Sequence, residues 1–168
     1  MITLVFMTDP QRVVGGSTKL RNLARMPFLP MSELPKAMDE IMAGKHMVIG
    51  SGSAGFYAGN AKKYDNSWLL TRKKALGQLA SGLKVCNELQ DLVKRYKDSD
   101  DELLVLGGLS VWTAFLPYAD RIRIAETYNN VPGDLVFDGW DQGKFVLVKD
   151  DRRKKLAVRE YRRSANQT

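Results

Sequence analysis

One stretch limits what this chain can fold into more than any other: Glu102 to Pro117, E-L-L-V-L-G-G-L-S-V-W-T-A-F-L-P. Leu103 to Leu106 are apolar without alternation, the pattern of a central strand covered on both faces, and Gly107 and Gly108 end the run abruptly. Beyond them Leu109, Trp112, Ala114, Phe115 and Leu116 recur at helical spacing, Ser110 can help cap the start, and Pro117 stops the helix. A strand that passes through two glycines into a helix lets an anion approach bare backbone N–H groups at the helix N-terminus. The same arrangement also serves as an ordinary tight turn in an α/β core, so the rest of the chain must choose between them.

The 168 residues, 44% of them hydrophobic, suffice for one well-buried domain and are short for two. A single domain over residues 1–163, with a flexible tail over 164–168, is expected. The net charge of +7 is spread along the chain and grouped mainly at Arg72-Lys73-Lys74, Arg152 to Lys155 and Arg159 to Arg163. Aromatic residues do not interleave with these groups, which favours anionic small molecules over nucleic acid. A single cysteine, Cys86, excludes an internal disulfide, and with one histidine, His46, no Cys or His metal cluster can form. The strand-like opening I-T-L-V-F-M lacks the features of a signal peptide or a membrane span. A soluble, cytoplasmic monomer without metal is therefore expected.

Taken in order, Ile2 to Met7 read as a buried strand, Asp9-Pro10 as a turn, and Gly15 to Phe28 as a long irregular loop suited to a lid. Ser32 offers an N-cap for a helix with Pro35 in its first turn, Leu34, Ala37, Met38, Ile41 and Met42 on one face, and Gly44 at its end. His46 to Ile49 form a second buried strand, closed by Gly50-Ser51-Gly52-Ser53-Ala54-Gly55, which has the G-x-G-x-x-G spacing of dinucleotide sites. The next strand, Trp68 to Leu70, leads into Thr71-Arg72-Lys73-Lys74, where bases rather than an acid suit a phosphorylated ribose and hence NADP over NAD. Leu83 to Val85 form a short strand, and Asn87 caps a helix bearing Leu89, Leu92, Val93 and Tyr96. Ile122 and Ile124 alternate with charged neighbours, Val131 to Asp134 turn, and Phe145 to Val148 pairs with Leu156 to Tyr161 across a charged loop. Strands alternating with helices before a late antiparallel pair give an α/β fold: a mostly parallel central sheet with helices on both faces and an antiparallel C-terminal edge.

Together these pieces resemble the dihydrofolate reductase family and its three-layer fold. The likeness is carried by E-L-L-V-L-G-G-L-S-V-W-T-A-F-L-P, Y-A-D-R-I-R-I and V-P-G-D-L-V-F, and more weakly by Val13-Val14-Gly15, Met26-Pro27-Phe28, the G-S-G-S turn and L-L-T-R. The opening M-I-T-L-V-F and L-P-Y-A-D are similar to viral members. The resemblance implies NADPH as cofactor and dihydrofolate or a related pterin as substrate. It implies that Gly107 and Gly108 join through a cis peptide and meet the cofactor, and that the N–H groups of Ser110, Val111, Gly52 and Ser53 contact the pyrophosphate. Thr71 and Arg72 are expected at the adenosine 2′-phosphate, Met7, Val14 and Gly15 on the nicotinamide side, and Leu106 and Trp112 beside the cofactor. Val5, Phe6, Phe28, Leu106 and Ala125 are expected to line the substrate, and Lys63, or its neighbour Lys62, to meet its carboxylate.

Glu33 falls where the family places its single active-site carboxylate. Reducing a pterin imine needs a hydride on carbon and a proton on the adjacent nitrogen. A carboxylate in an apolar pocket holds a proton more readily than one in water, and it can grip the amidine-like pterin edge by paired hydrogen bonds. An acid at a helix N-terminus is also favoured simply by the dipole, and Ser32 is the alternative occupant of this place. The chain departs from the family in having Phe28 for a frequent tryptophan, Ala125 for a supporting threonine, and a longer lid. Tyr64 or Asp65 stands where an arginine normally binds the folate glutamate, and a lysine nearby lacks its bidentate fork. That gap leaves open a pyrimidine reductase of the riboflavin-pathway type, or a non-catalytic descendant of the fold.

Overall fold

The computed structural model describes residues 1–16, 25–51, 58–72 and 82–165. The expected lid falls partly outside them, at 17–24, as do Gly52, Ser53, Lys73, Lys74 and the last residues of the expected tail. The chain divides into two compact units, Met1–Leu4 with Gly44–Asp120 and Val5–Ala43 with Arg121–Thr168, and strand β1 (Ile2–Thr8) runs from one into the other.

In the first unit the strands are β3 (His46–Gly50), β4 (Asn66–Leu70), β5 (Lys84–Cys86) and β6 (Leu103–Gly107), in the order β5-β4-β3-β6-β1. All are parallel, with Leu4 opposite Val105, Val48 between Val105 and Trp68, and Trp68 opposite Lys84. Every residue of β3 and β6 is buried, which explains why both read as unbroken apolar runs. Helix α2 (Leu89–Tyr96) buries Leu92, Val93 and Tyr96. Helix α3 (Leu109–Phe115) buries Val111, Trp112 and Phe115, each worth about 1.5–3 kcal/mol of apolar burial.

In the second unit β7 (Arg121–Thr127), β10 (Leu156–Arg163) and β9 (Phe145–Arg152) follow β1 in the order β1-β7-β10-β9. Strand β10 is antiparallel to both neighbours and makes the expected antiparallel edge. A separate pair joins β2 (Val13–Gly15) to β8 (Leu135–Val136). Helix α1 (Leu34–Ile41) turns Leu34, Ala37 and Ile41 inward onto β7 and β10. Phe6 packs edge-on against Phe137 and Trp140, at 5.3 and 5.7 Å, and Trp140 against Tyr161 at 5.1 Å.

Three local expectations change. Ser32 does not cap α1: the Pro30 carbonyl accepts the N–H groups of both Glu33 and Leu34, so the turn before the helix takes those donors and Glu33 becomes the cap residue. Asn87 does not cap α2; its amide donates to Thr71 O at 2.7 Å, across to the end of β4, and Glu88 takes the cap position. Strand β9 continues past Val148 to Arg152, because an edge strand open to solvent accommodates charges and Asp150 pairs with Arg159 on β10.

Candidate active site

In the first unit the glycine turn has the geometry that the resemblance implies. Gly107 sits at φ 133°, a conformation that side chains rarely adopt, and its peptide to Gly108 is cis. Gly108 is the cap residue of α3, and its carbonyl accepts from Val111 N and Trp112 N at 3.1 and 2.9 Å. The N–H groups of Leu109 and Ser110 precede these and have no acceptor among the described residues. At the end of β3, a Cβ on Gly50 would stand 2.6 Å from Val111 Cγ2, so strand and helix approach here only because residue 50 is glycine. Thr71, at the end of β4, is buried and its N–H donates to Cys86 O; Arg72 beside it is exposed. Trp112 is mostly core, with its indole N–H donating to Val105 O at 3.0 Å. Leu106 is buried in β6, and Lys62, Lys63 and Asp65 are exposed. Bare backbone donors, a strand end kept clear of side chains and an exposed cation suit a phosphorylated nucleotide.

In the second unit Val5 and Phe6 are buried in β1 with Met7 partly exposed, and Val14 and Gly15 lie on β2. Two residues that sequence reasoning passed over organise this region. The buried Asp9 carboxylate accepts from Gln11 N and Val13 N through one oxygen and from Val131 N through the other, each at 2.9 Å, tying β2 to the 131–134 turn. That turn approaches β2 so closely that a Cβ on Gly133 would lie 2.5 Å from Gly15 O. Arg25, only 6% exposed, donates from Nε to Pro132 O at 2.8 Å and keeps one guanidinium nitrogen without a partner among the described residues; burial lowers its pKa. Asp9 had signalled only a turn, and nothing in the sequence set Arg25 apart from the other bases.

Glu33 is half-buried at the start of α1. Its Oε1 accepts from Lys154 N at 3.1 Å, while its Oε2 is buried and has no partner among the described residues. A buried carboxylate oxygen without a donor costs free energy unless a ligand supplies one. Ser32 is exposed, Ala125 is fully buried in β7 opposite Val158, and Phe28 is 56% exposed. Nearby in sequence to Ala125, Glu126 is gripped by both Arg12 and Arg159, and so is committed to ion pairs. Among the described residues no cluster of His, Cys, Asp or Glu could hold a metal ion, and no helix is long and apolar enough to cross a membrane.

A curated dihydrofolate reductase of Bacillus subtilis (strain 168) is 23% identical over 152 residues, covering 90% of this chain and 84% of that one. The solved structure of dihydrofolate reductase from Enterococcus faecalis complexed with NADP(H) and RAB-propyl superposes with a TM-score of 0.74 at 16% identity, covering 98% of this chain and 96% of the other, and so shares its fold. The family model described as dihydrofolate reductase matches residues 1–167, from the first strand through the glycine turn to the C-terminal hairpin, and the chain therefore belongs to the dihydrofolate reductase family.

Proposed function

We propose that the protein reduces dihydrofolate to tetrahydrofolate with NADPH, and that Glu33 is the carboxylate that serves the reaction. The observation that supports this most is the state of Glu33: one oxygen is anchored by Lys154 N, and the other is buried without a donor among the described residues. A pterin edge carries N–H groups that such an oxygen accepts. The match of the family model over nearly the whole chain supports the same reaction, and gives no support to a pyrimidine reductase or a non-catalytic descendant.

The residues present fit NADPH. Leu109 and Ser110 offer the pyrophosphate N–H groups that have no acceptor among the described residues, and positions 50, 107 and 108, being glycine, put no side chain in its way. The expected contact from Val111 N is already used by Gly108 O, so we assign the pyrophosphate to the two preceding donors. Arg72, exposed after Thr71, would meet the adenosine 2′-phosphate; Gly52 and Ser53 are the remaining proposed contacts. Met7, Val14 and Gly15 would flank the nicotinamide, with Leu106 and Trp112 completing the cofactor side. When bound, NADPH supplies the hydride that reduces the pterin C=N carbon. The chain's own part is to hold the pterin through Glu33, shield it with Val5, Phe6, Phe28 and Ala125, and promote protonation of the nitrogen next to that carbon. With Tyr64 or Asp65 where the family carries an arginine, Lys62 or Lys63 is the base we assign to the substrate carboxylate, so the Michaelis constant for dihydrofolate should be high.

The test is oxidation of NADPH on adding dihydrofolate. Turnover with NADPH and little with NADH is expected. Tight NADPH binding without turnover would refute the substrate, and no NADPH binding would refute the cofactor.

A further inference from the structure

The Glu33 carboxylate is held by a main-chain donor far along the chain. The side chain does not cap its own helix, since the cap position of α1 carries no side-chain hydrogen bond. Its partner among the described residues is the backbone N–H of Lys154, 121 residues away at the tip of the β9–β10 hairpin. That tip is itself held from several sides. Arg153 forms an ion pair with Glu40 on α1 at 2.5 Å and another with Asp151 at 2.9 Å. The Tyr128 hydroxyl donates to Arg153 O at 2.6 Å, and Arg153 N closes the hairpin by donating to Leu156 O at 2.9 Å.

We propose that the β9–β10 tip is a positioning element for the active-site carboxylate: Lys154 N–H holds Oε1, and the Arg153–Glu40 pair keeps the tip on α1, so that Oε2 faces the substrate. The inference rests on Glu33 being the functional carboxylate. A backbone donor suits the task, because it has no rotamers to lose and its direction is fixed by the hairpin. All the participants, from Glu33 and Glu40 to Tyr128, Asp151, Arg153 and Lys154, belong to the second unit.

The experiment is a double-mutant cycle on dihydrofolate reduction. Lys154→Pro removes the N–H donor, and Lys154→Ala keeps it. Lys154→Pro should lower kcat/KM for dihydrofolate about tenfold, the lower end for a hydrogen bond to a charged group at a partly exposed site, with the KM for NADPH and the thermal midpoint unchanged. Lys154→Ala should match the wild type. In a Glu33→Ala background Lys154→Pro should have no further effect, since its action passes through the missing carboxylate. Arg153→Ala, which leaves the hairpin backbone intact, should give a smaller loss that also vanishes in that background. Losses that persist unchanged in Glu33→Ala, or a Lys154→Pro variant with wild-type kinetics, would overturn the positioning role alone. If the wild type did not reduce dihydrofolate, the reading of the site would fail and this inference with it.

Discussion

Gly50→Ala probes the contact on which the proposed cofactor site depends. The new methyl would stand 2.6 Å from Val111 Cγ2, about 1 Å inside ordinary carbon–carbon contact. Val111 is only 6% exposed and is β-branched, so in a helix it has essentially one rotamer and cannot swing aside. The first turn of α3 must therefore shift, at a cost of about 1–3 kcal/mol. For a chain of this size that lowers the thermal midpoint by about 2–12 °C. Leu109 and Ser110 would move with the turn, so NADPH binding should weaken as well. Val111→Ala alone should cost about 2 kcal/mol, from two lost methyl groups and the space they leave. The double variant puts a methyl back where two were removed, and should recover about 1–2 kcal/mol relative to the sum of the single changes. Calorimetry and NADPH titration of the four proteins give the cycle. Strict additivity in both readouts would show that Gly50 and Val111 do not meet, and would refute the argument.

Other parts of the molecule give equally definite expectations. Gly133→Ala forces a methyl to 2.5 Å from Gly15 O, a backbone atom, and should cost about 3 kcal/mol in urea unfolding; an unchanged midpoint would refute the close packing of that turn on β2. Arg72→Ala should weaken NADPH about 10–100-fold and leave NADH unaffected, the value of a charge-assisted hydrogen bond to phosphate, as read by titration of each cofactor. The Cys86 thiol is buried, donates to Glu88 O at 3.1 Å and has its pKa raised chiefly by burial. Its alkylation at neutral pH should be slow in the native protein and complete after unfolding; fast native labelling would contradict the burial.

How much the sequence disclosed depends on where each interaction's partners lie. The β6–glycine–α3 unit was readable because strand, turn and helix are contiguous, and each leaves its own pattern within sixteen residues. The two buried parallel strands at its heart were readable for the same reason. Strand β2 was not, since three residues pair with two from β8, some 120 positions later, and neither piece is long enough to show a period. Asp9 looked like a turn residue because its third donor, Val131 N, is 122 residues away. The caps failed differently: Ser32 and Asn87 are good cap residues by type, yet the Pro30 carbonyl and the Thr71 carbonyl took the roles on offer. Glu33 could be singled out from Asp39 and Glu40 only through the family resemblance. Its support by Lys154 was invisible, because a backbone N–H carries no side-chain signature.

The measurement that bears most directly on the account is steady-state NADPH oxidation with dihydrofolate, comparing the wild type with Glu33→Gln at neutral pH while NADPH affinity is followed separately. The account predicts turnover by the wild type, a loss of about 10²–10⁴-fold in the variant, and the same NADPH affinity in both. Full activity in Glu33→Gln would contradict it.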